Sequence, residues 1–340
     1  MSEAFPVLPE AEVAEQSASV REAIQKREDA AFTVTRASNM AGKFIDVVPS
    51  SNFLFSEEPG AYVFTGPEDI EASHDINFSI EERLVSGAAD SAHAVIAGRL
   101  EVATGGRAEK TVIDVAAKCY QKKREFADRL ERARREVTYM RLMKAAGEVT
   151  MEPIAVIVTP EELGSAIVLF TRFNDSLFTL DNAAWARGLT DMNVEAALKS
   201  AAAIGRFNAK IGLRHGDAKI KNFASADSEL LSSSVSLIDY ETAQPLDVDN
   251  PYSAGEAAHA DLGLLLKSLV DKGFFKIDPL SATNNPPAVR DLIIKMCEDA
   301  YLPNWNDAAP EVQSAVYEAV VELAEQTVQE IIPQGLYTAV

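Results

Sequence analysis

The sequence is poor in the residues on which several common chemistries depend. Its two cysteines, Cys119 and Cys297, are too few for a disulfide framework and point to a reducing cytosol. Of its four histidines, His74, His93 and His259 stand apart from one another, which argues against a zinc site. No apolar run reaches the roughly eighteen residues of a membrane span. The N-terminal "MSEAFPVLPEAEVAEQ" lacks the basic start and apolar stretch of a secretory signal. Basic charge is also short: 32 Lys and Arg face 52 Asp and Glu, and the resulting net charge of −20 repels nucleic acid and anionic membrane. A soluble, cytoplasmic protein is the expectation.

At 340 residues the chain is long enough for two compact domains. Charge is spread unevenly along it. Lys and Arg number 5 against 14 Asp and Glu over residues 1–75, 15 against 16 over 76–181, and 12 against 22 over 182–340. Both flanks are therefore acidic around a nearly neutral middle.

Residues 10–30 carry helix formers with only a thin apolar stripe, and 32–75 hold short β-prone pieces broken by Pro49, Pro59, Gly60 and Pro67, so 1–75 reads as an N-terminal extension. Next, "SIEERLVSG", "HAVIAGRLEV" and "TVIDVAAKCY", parted by Gly87 and Gly105-Gly106, predict three strands of an antiparallel meander. A long helix over 124–146 is predicted from the spacing of Phe126, Leu130, Val137, Met140 and Met143 or Lys144, with Gly147 at its end. "IAVIVTP" and "SAIVLFTRF" read as buried strands. Thr190 suits the N-cap of a helix over 191–211, and further helices are expected near 258–272, 287–301 and 309–332, the last opened by Pro310. In that last helix Val312, Val316, Ala319, Leu323 and Thr327 share a face.

The stretch "RHGDAKIKNF" holds the most chemistry. An aspartate on a turn can take a proton from a hydroxyl, and an amide oxygen five residues on can ligate a hard cation, which gives Asp217 and Asn222 those roles. Asp239, seventeen residues beyond Asn222, ends the apolar run "VSLID" and can share such an ion. Lys118 closes another apolar strand as a point charge suited to phosphates, and Glu136, eighteen residues further and on the predicted helix, can hold it in place. Each feature alone has a plainer reading as a turn, a strand end or a solvated helix face. Their joint order is the informative signal.

In that order and rough spacing, "VAAK", a helical glutamate, "HGDAKIKN" and "LID" resemble the protein-kinase-like superfamily. His215-Gly216-Asp217 in place of His-Arg-Asp, and "IDYE" in place of Asp-Phe-Gly, resemble its aminoglycoside phosphotransferase and choline kinase branch. The resemblance covers about residues 78–300. It implies an α+β, bilobal fold: a small antiparallel-sheet lobe with one long helix over 76–174, and a mainly helical lobe over 175–340. It also implies ATP and Mg2+. Asp217 would be the catalytic base, Asn222 and Asp239 the Mg2+ ligands, Lys118 the partner of the α/β-phosphates with Glu136 as its ion-pair partner, and Asp261 the support of the catalytic loop.

The sequence departs from the branch at Lys219, which resembles the protein-kinase loop, where a lysine contacts the transferred phosphate; the small-molecule branch commonly has histidine there. No Ala-Pro-Glu follows Asp239, which argues against a long phosphorylated activation segment. The segment "SGAADSAHAVIAG" lacks Gly-x-Gly-x-x-Gly, so phosphate is expected on backbone amides between Gly87 and Ser91. The expected reaction is phosphoryl transfer from ATP to a hydroxyl of a small acceptor, cationic because residues 182–340 are acidic. Two rivals stand beside it: a protein kinase whose extension over 1–75 recruits a protein partner, and a nucleotide-binding module without catalysis. The basic run on the 124–146 helix reads as a solvated face balancing nearby acids, which leaves nucleic acid a minor option.

Overall fold

The computed structural model describes residues 60–64, 70–72, 76–84, 94–103, 110–120, 125–145, 150–159, 166–172, 178–180, 189–225, 235–247, 250–277 and 285–332. The chain is an α+β protein of two compact units. One comprises the residues up to Ala133 together with Pro153–Phe173, and the other Arg134–Glu152 together with the residues from Asn174 onward.

The first unit is a seven-stranded antiparallel sheet. Its strands are β1 (Gly60–Phe64), β2 (Ile70–Ala72), β3 (Ile76–Leu84), β4 (Ala94–Ala103), β5 (Lys110–Cys119), β6 (Pro153–Val158) and β7 (Ile167–Arg172), in spatial order β2-β1-β6-β7-β5-β4-β3. The expected meander is present: β3 pairs with β4, and β4 pairs with β5 in one unbroken register from Ala94 opposite Cys119 to Ala103 opposite Lys110. Strand β1 pairs with β6, placing Tyr62 opposite Val156, so residues upstream of 76 also contribute to this sheet.

Alternation along the strands puts Ile96 and Leu100 of β4, Val115 and Ala117 of β5, and Val168 and Phe170 of β7 in one buried cluster. Phe78 joins it, its ring 5.2 Å from that of Phe170. Gly98 is dictated by space, because a Cβ there would lie 2.5 Å from the Ser79 carbonyl oxygen and 2.6 Å from the Phe78 ring.

Helix α1 (Phe126–Ala145) follows β5 and buries Leu130, Ala133, Val137, Met140 and Met143, a three-to-four spacing that matches the expected face.

The second unit is mainly helical: α2 (Asp191–Ile211), α3 (Pro251–Asp271), α4 (Pro286–Ile294) and α5 (Pro310–Ile331). Thr190 caps α2 as expected, its hydroxyl accepting from the Asn193 amide, and Gly212 ends the helix in the left-handed conformation with φ 75°. Helix α3 begins at Pro251, seven residues before the sequence expectation, because Asn250 caps it and Pro251 occupies its first turn. The 287–301 expectation divides: α4 ends at Ile294 and Lys295–Tyr301 winds as a π-helix. On α5 the buried positions are Val316, Val320, Leu323, Ala324 and Thr327, while Val312 and Ala319 are half-buried at the edge of that face.

Short strands complete this unit. They are β8 (Phe178–Thr179), β9 (Leu213–Arg214), β10 (Phe223–Ser225), β11 (Val235–Leu237) and β12 (Gln244–Pro245), with β10 between β8 and β11, and β9 paired to β12. Among the described residues no helix is long and apolar enough to cross a membrane.

Candidate active site

In the second unit, Gly212 releases the chain from α2 into β9, and the stretch 215–222 then turns back toward β10. Two constraints act at Gly216. Its φ is 79°, and a Cβ would lie 3.0 Å from the Thr242 carbonyl oxygen, so glycine is the residue that fits. The turn is gripped from below by Asp261 of α3, which is fully buried. Its Oδ2 accepts from the His215 amide at 2.7 Å and from Asn208 Nδ2 at 3.0 Å, and its Oδ1 accepts from the Gly216 amide at 2.8 Å. A buried carboxylate is tolerated when donors surround it, and charge-assisted bonds of this length are the strong ones.

His215 is equally enclosed. Ile238 O lies 3.1 Å from its Nε2, and Nδ1 accepts from the Asp217 amide at 3.3 Å, which corresponds to a neutral ring protonated on Nε2. Burial holds its pKa below the ordinary histidine value of 6.5 against the opposing pull of Asp261, Asp239 and Asp217. The ring meets Phe207 and Tyr240 edge-on, and those two stack on each other at 5.6 Å with 15° between planes. His215 thus supports the backbone that presents Asp217 and is not itself placed to exchange protons.

Asp217 remains partly open, its side chain 24% exposed. Lys219 Nζ lies 2.5 Å from Oδ1, and Asn222 Nδ2 donates to Oδ2 at 3.0 Å and to the Asp217 carbonyl oxygen at 2.7 Å. The amide nitrogen of Asn222 is therefore used to orient Asp217, which leaves its Oδ1 as the atom able to serve a cation. Ile220 and Asn222 are buried while Lys219 and Lys221 point outward, and the Ile220 amide is tied to Ser268 Oγ of α3 at 3.0 Å.

The ladder between β10 and β11 carries on one step beyond the strands, the Ile238 amide donating to Asn222 O at 2.9 Å. Asp239 comes next, with φ 68°, the one non-glycine residue of positive φ among those described. Aspartate tolerates this conformation better than most residues, and such backbone outliers gather at functional sites. Tyr240 locks the turn: it is fully buried, its hydroxyl donates to Leu237 O, and Thr150 Oγ1 lies 3.3 Å away.

The carboxylates of Glu136, Asp239 and Glu241 each offer an oxygen within 4.8 Å of the others. Three hard oxygen donors at that spacing suit Mg2+. Two of the three were singled out from the sequence, Glu136 as the partner of Lys118 rather than beside Asp239. Glu241 was missed, and its signal was visible as the second acid of "IDYE".

In the first unit, Lys118 lies near the end of β5, its ammonium 5.2 Å from the centre of the Tyr120 ring. Gly87 and Ser91 lie outside the described residues, as does the extension up to residue 59. The cysteines offer no nucleophile: burial pushes the Cys119 thiol far up and that of Cys297 to about 12.

No family model matches the chain, and no curated protein matches it. Solved structures do. One of them, described as WaaP in complex with acyl carrier protein, is 15% identical with a TM-score of 0.41, over 75% of this chain and 89% of that one. A likeness of that size bears on neither activity nor partners.

Proposed function

We propose that the chain is a phosphotransferase of the protein-kinase-like fold, transferring the γ-phosphate of ATP to a hydroxyl acceptor with Mg2+. The observation that carries this reading is the pair of built turns in the second unit. One is held by Asp261 and presents Asp217; the other sets Asp239 at positive φ among Glu136 and Glu241. Structural turns do not require a partly open carboxylate poised on a fully buried polar support.

In this reading Asp217 Oδ2, steadied by Asn222, takes the proton from the acceptor hydroxyl, and Lys219 beside Oδ1 meets the charge of the phosphate being transferred. Asp239 and Glu241, with Asn222 Oδ1, are the residues to hold Mg2+. The ion when bound neutralises phosphate charge. Lys118 serves the α/β-phosphates, as the resemblance implies. Positioning and charge do most of the work, since phosphoryl transfer asks little covalent chemistry of the protein.

The acidic balance of residues 182–340 favours a small cationic acceptor such as an aminoglycoside or amino alcohol. Lys219 at the base supports a second reading, a Ser/Thr of a partner protein.

The test has two parts. Purified protein with labelled ATP is screened against aminoglycosides, amino alcohols, sugars and a protein lysate, and Mg2+-dependent ATP binding is titrated for the native chain and Asp239→Ala. Transfer to one acceptor class and loss of the Mg2+ dependence in Asp239→Ala are expected. ATP binding without transfer or hydrolysis in any arm would leave a nucleotide-binding module.

A further inference from the structure

The π-helical turn at Lys295–Tyr301 plays no part in the site as described, yet it reaches that site through buried side chains. π-Turns are rare inside helices and occur frequently at functional sites. This one lies tightly on α2: a Cβ at Gly205 would come 2.9 Å from Tyr301 O and 2.4 Å from Asn304 Nδ2. It delivers the Tyr301 hydroxyl to Asn208 Oδ1 at 2.9 Å, with both side chains fully buried.

Asn208 is the pivot. Its Nδ2 has two hydrogens and meets two acceptors, Leu213 O at 2.7 Å and Asp261 Oδ2 at 3.0 Å. Turned over, the amide would set its oxygen against that carbonyl and carboxylate, acceptor against acceptor, and its NH2 against the phenol. Burial keeps the phenol protonated by raising its pKa, so Tyr301 supplies a hydrogen to Oδ1. Asp261 in turn holds the His215 and Gly216 amides, one residue from Asp217.

We propose that Tyr301 is a positioning residue for the loop that carries Asp217, acting through the Asn208 amide and the Asp261 carboxylate. The coupling is a property of the buried network; only its meaning for catalysis rests on the phosphotransferase reading.

Tyr301→Phe keeps the ring and removes the hydroxyl. In the full-length protein, amide hydrogen exchange over residues 213–217 is expected to quicken about tenfold, the size of one lost buried hydrogen bond. With Mg·ATP hydrolysis as the kinetic probe, kcat is expected to fall by a similar factor while KM for ATP stays within about twofold. Asn208→Asp, which sets a carboxylate against Asp261, should exceed both changes. Should that variant fail to fold, Tyr301→Phe decides alone. Faster exchange confined to 295–305, with 213–217 unchanged, would overturn the proposal and leave the hydroxyl as an anchor of the π-turn. A native chain that neither hydrolyses nor transfers phosphate would remove the phosphotransferase reading, and the exchange measurement would still decide the coupling.

Discussion

The sheet unit buries Phe78, Ile96, Leu100, Val115, Val168 and Phe170, and its strands pair their backbone along antiparallel ladders. The helical unit also has an apolar core, but it buries Asn208, His215, Asn222 and Asp261 as well, each hydrogen-bonded to the next or to the same turn. Apolar burial alone stabilises a fold. A buried polar network adds little net stability and much geometric definition, so its position marks where the chain needs a backbone turn held in one conformation.

That contrast can be broken by matched truncations. Asp261→Ala removes the acceptor for two backbone amides and the Asn208 amide, and is expected to cost about 3–5 kcal/mol. Phe170→Ala empties part of the sheet core for a similar cost of about 3–5 kcal/mol. Denaturant titration measures both. Activity per folded molecule separates them: it should collapse in Asp261→Ala and persist in Phe170→Ala. Equal retention in the two variants would mean that the polar network is a stabilising feature only.

Acidification sharpens the same contrast with a smaller effect. His215 has a folded pKa below its ordinary 6.5, so as pH falls the unfolded chain binds that proton first. Its contribution to stability is therefore complete above about pH 6.5 and lost as pH falls through the folded value, with a slope of at most about 1.4 kcal/mol per pH unit. The charges of Asp261, Asp239 and Asp217 oppose this shift, so the measurement is a difference between the native chain and a variant without the ring. Melting curves from pH 8 to 5 should show a shallower decline for His215→Gln than for the native chain. Parallel curves would mean that His215 is not held neutral by its surroundings.

Local signals were readable from the sequence. Thr190 before an apolar-periodic run gave the start of α2, glycine-parted alternating runs gave β3, β4 and β5, and the order of Lys118, Asp217, Asn222 and Asp239 picked out the candidate chemistry. Long-range geometry was not. Pairing of β1 with β6 joins segments about ninety residues apart, and the link from Tyr301 to Asn208 spans 93 positions, neither of which leaves a periodic trace. The departure from α geometry at Lys295 was also hidden, since the segment Lys295–Tyr301 holds no glycine or proline to mark it. Glu241 was legible as a residue type but not as a neighbour of Glu136, because that proximity depends on the left-handed turn at Asp239.

The most direct test of the central claim compares Asp217→Asn with the native chain in two assays, affinity for Mg·ATP and phosphoryl transfer to the acceptor found by screening. The substitution keeps the shape of the turn and removes the proton acceptor. ATP affinity within about threefold of native, with transfer reduced by about 10²–10⁴, is the expected result. Unchanged transfer would contradict the role of Asp217 as base and, with it, the assignment of this loop.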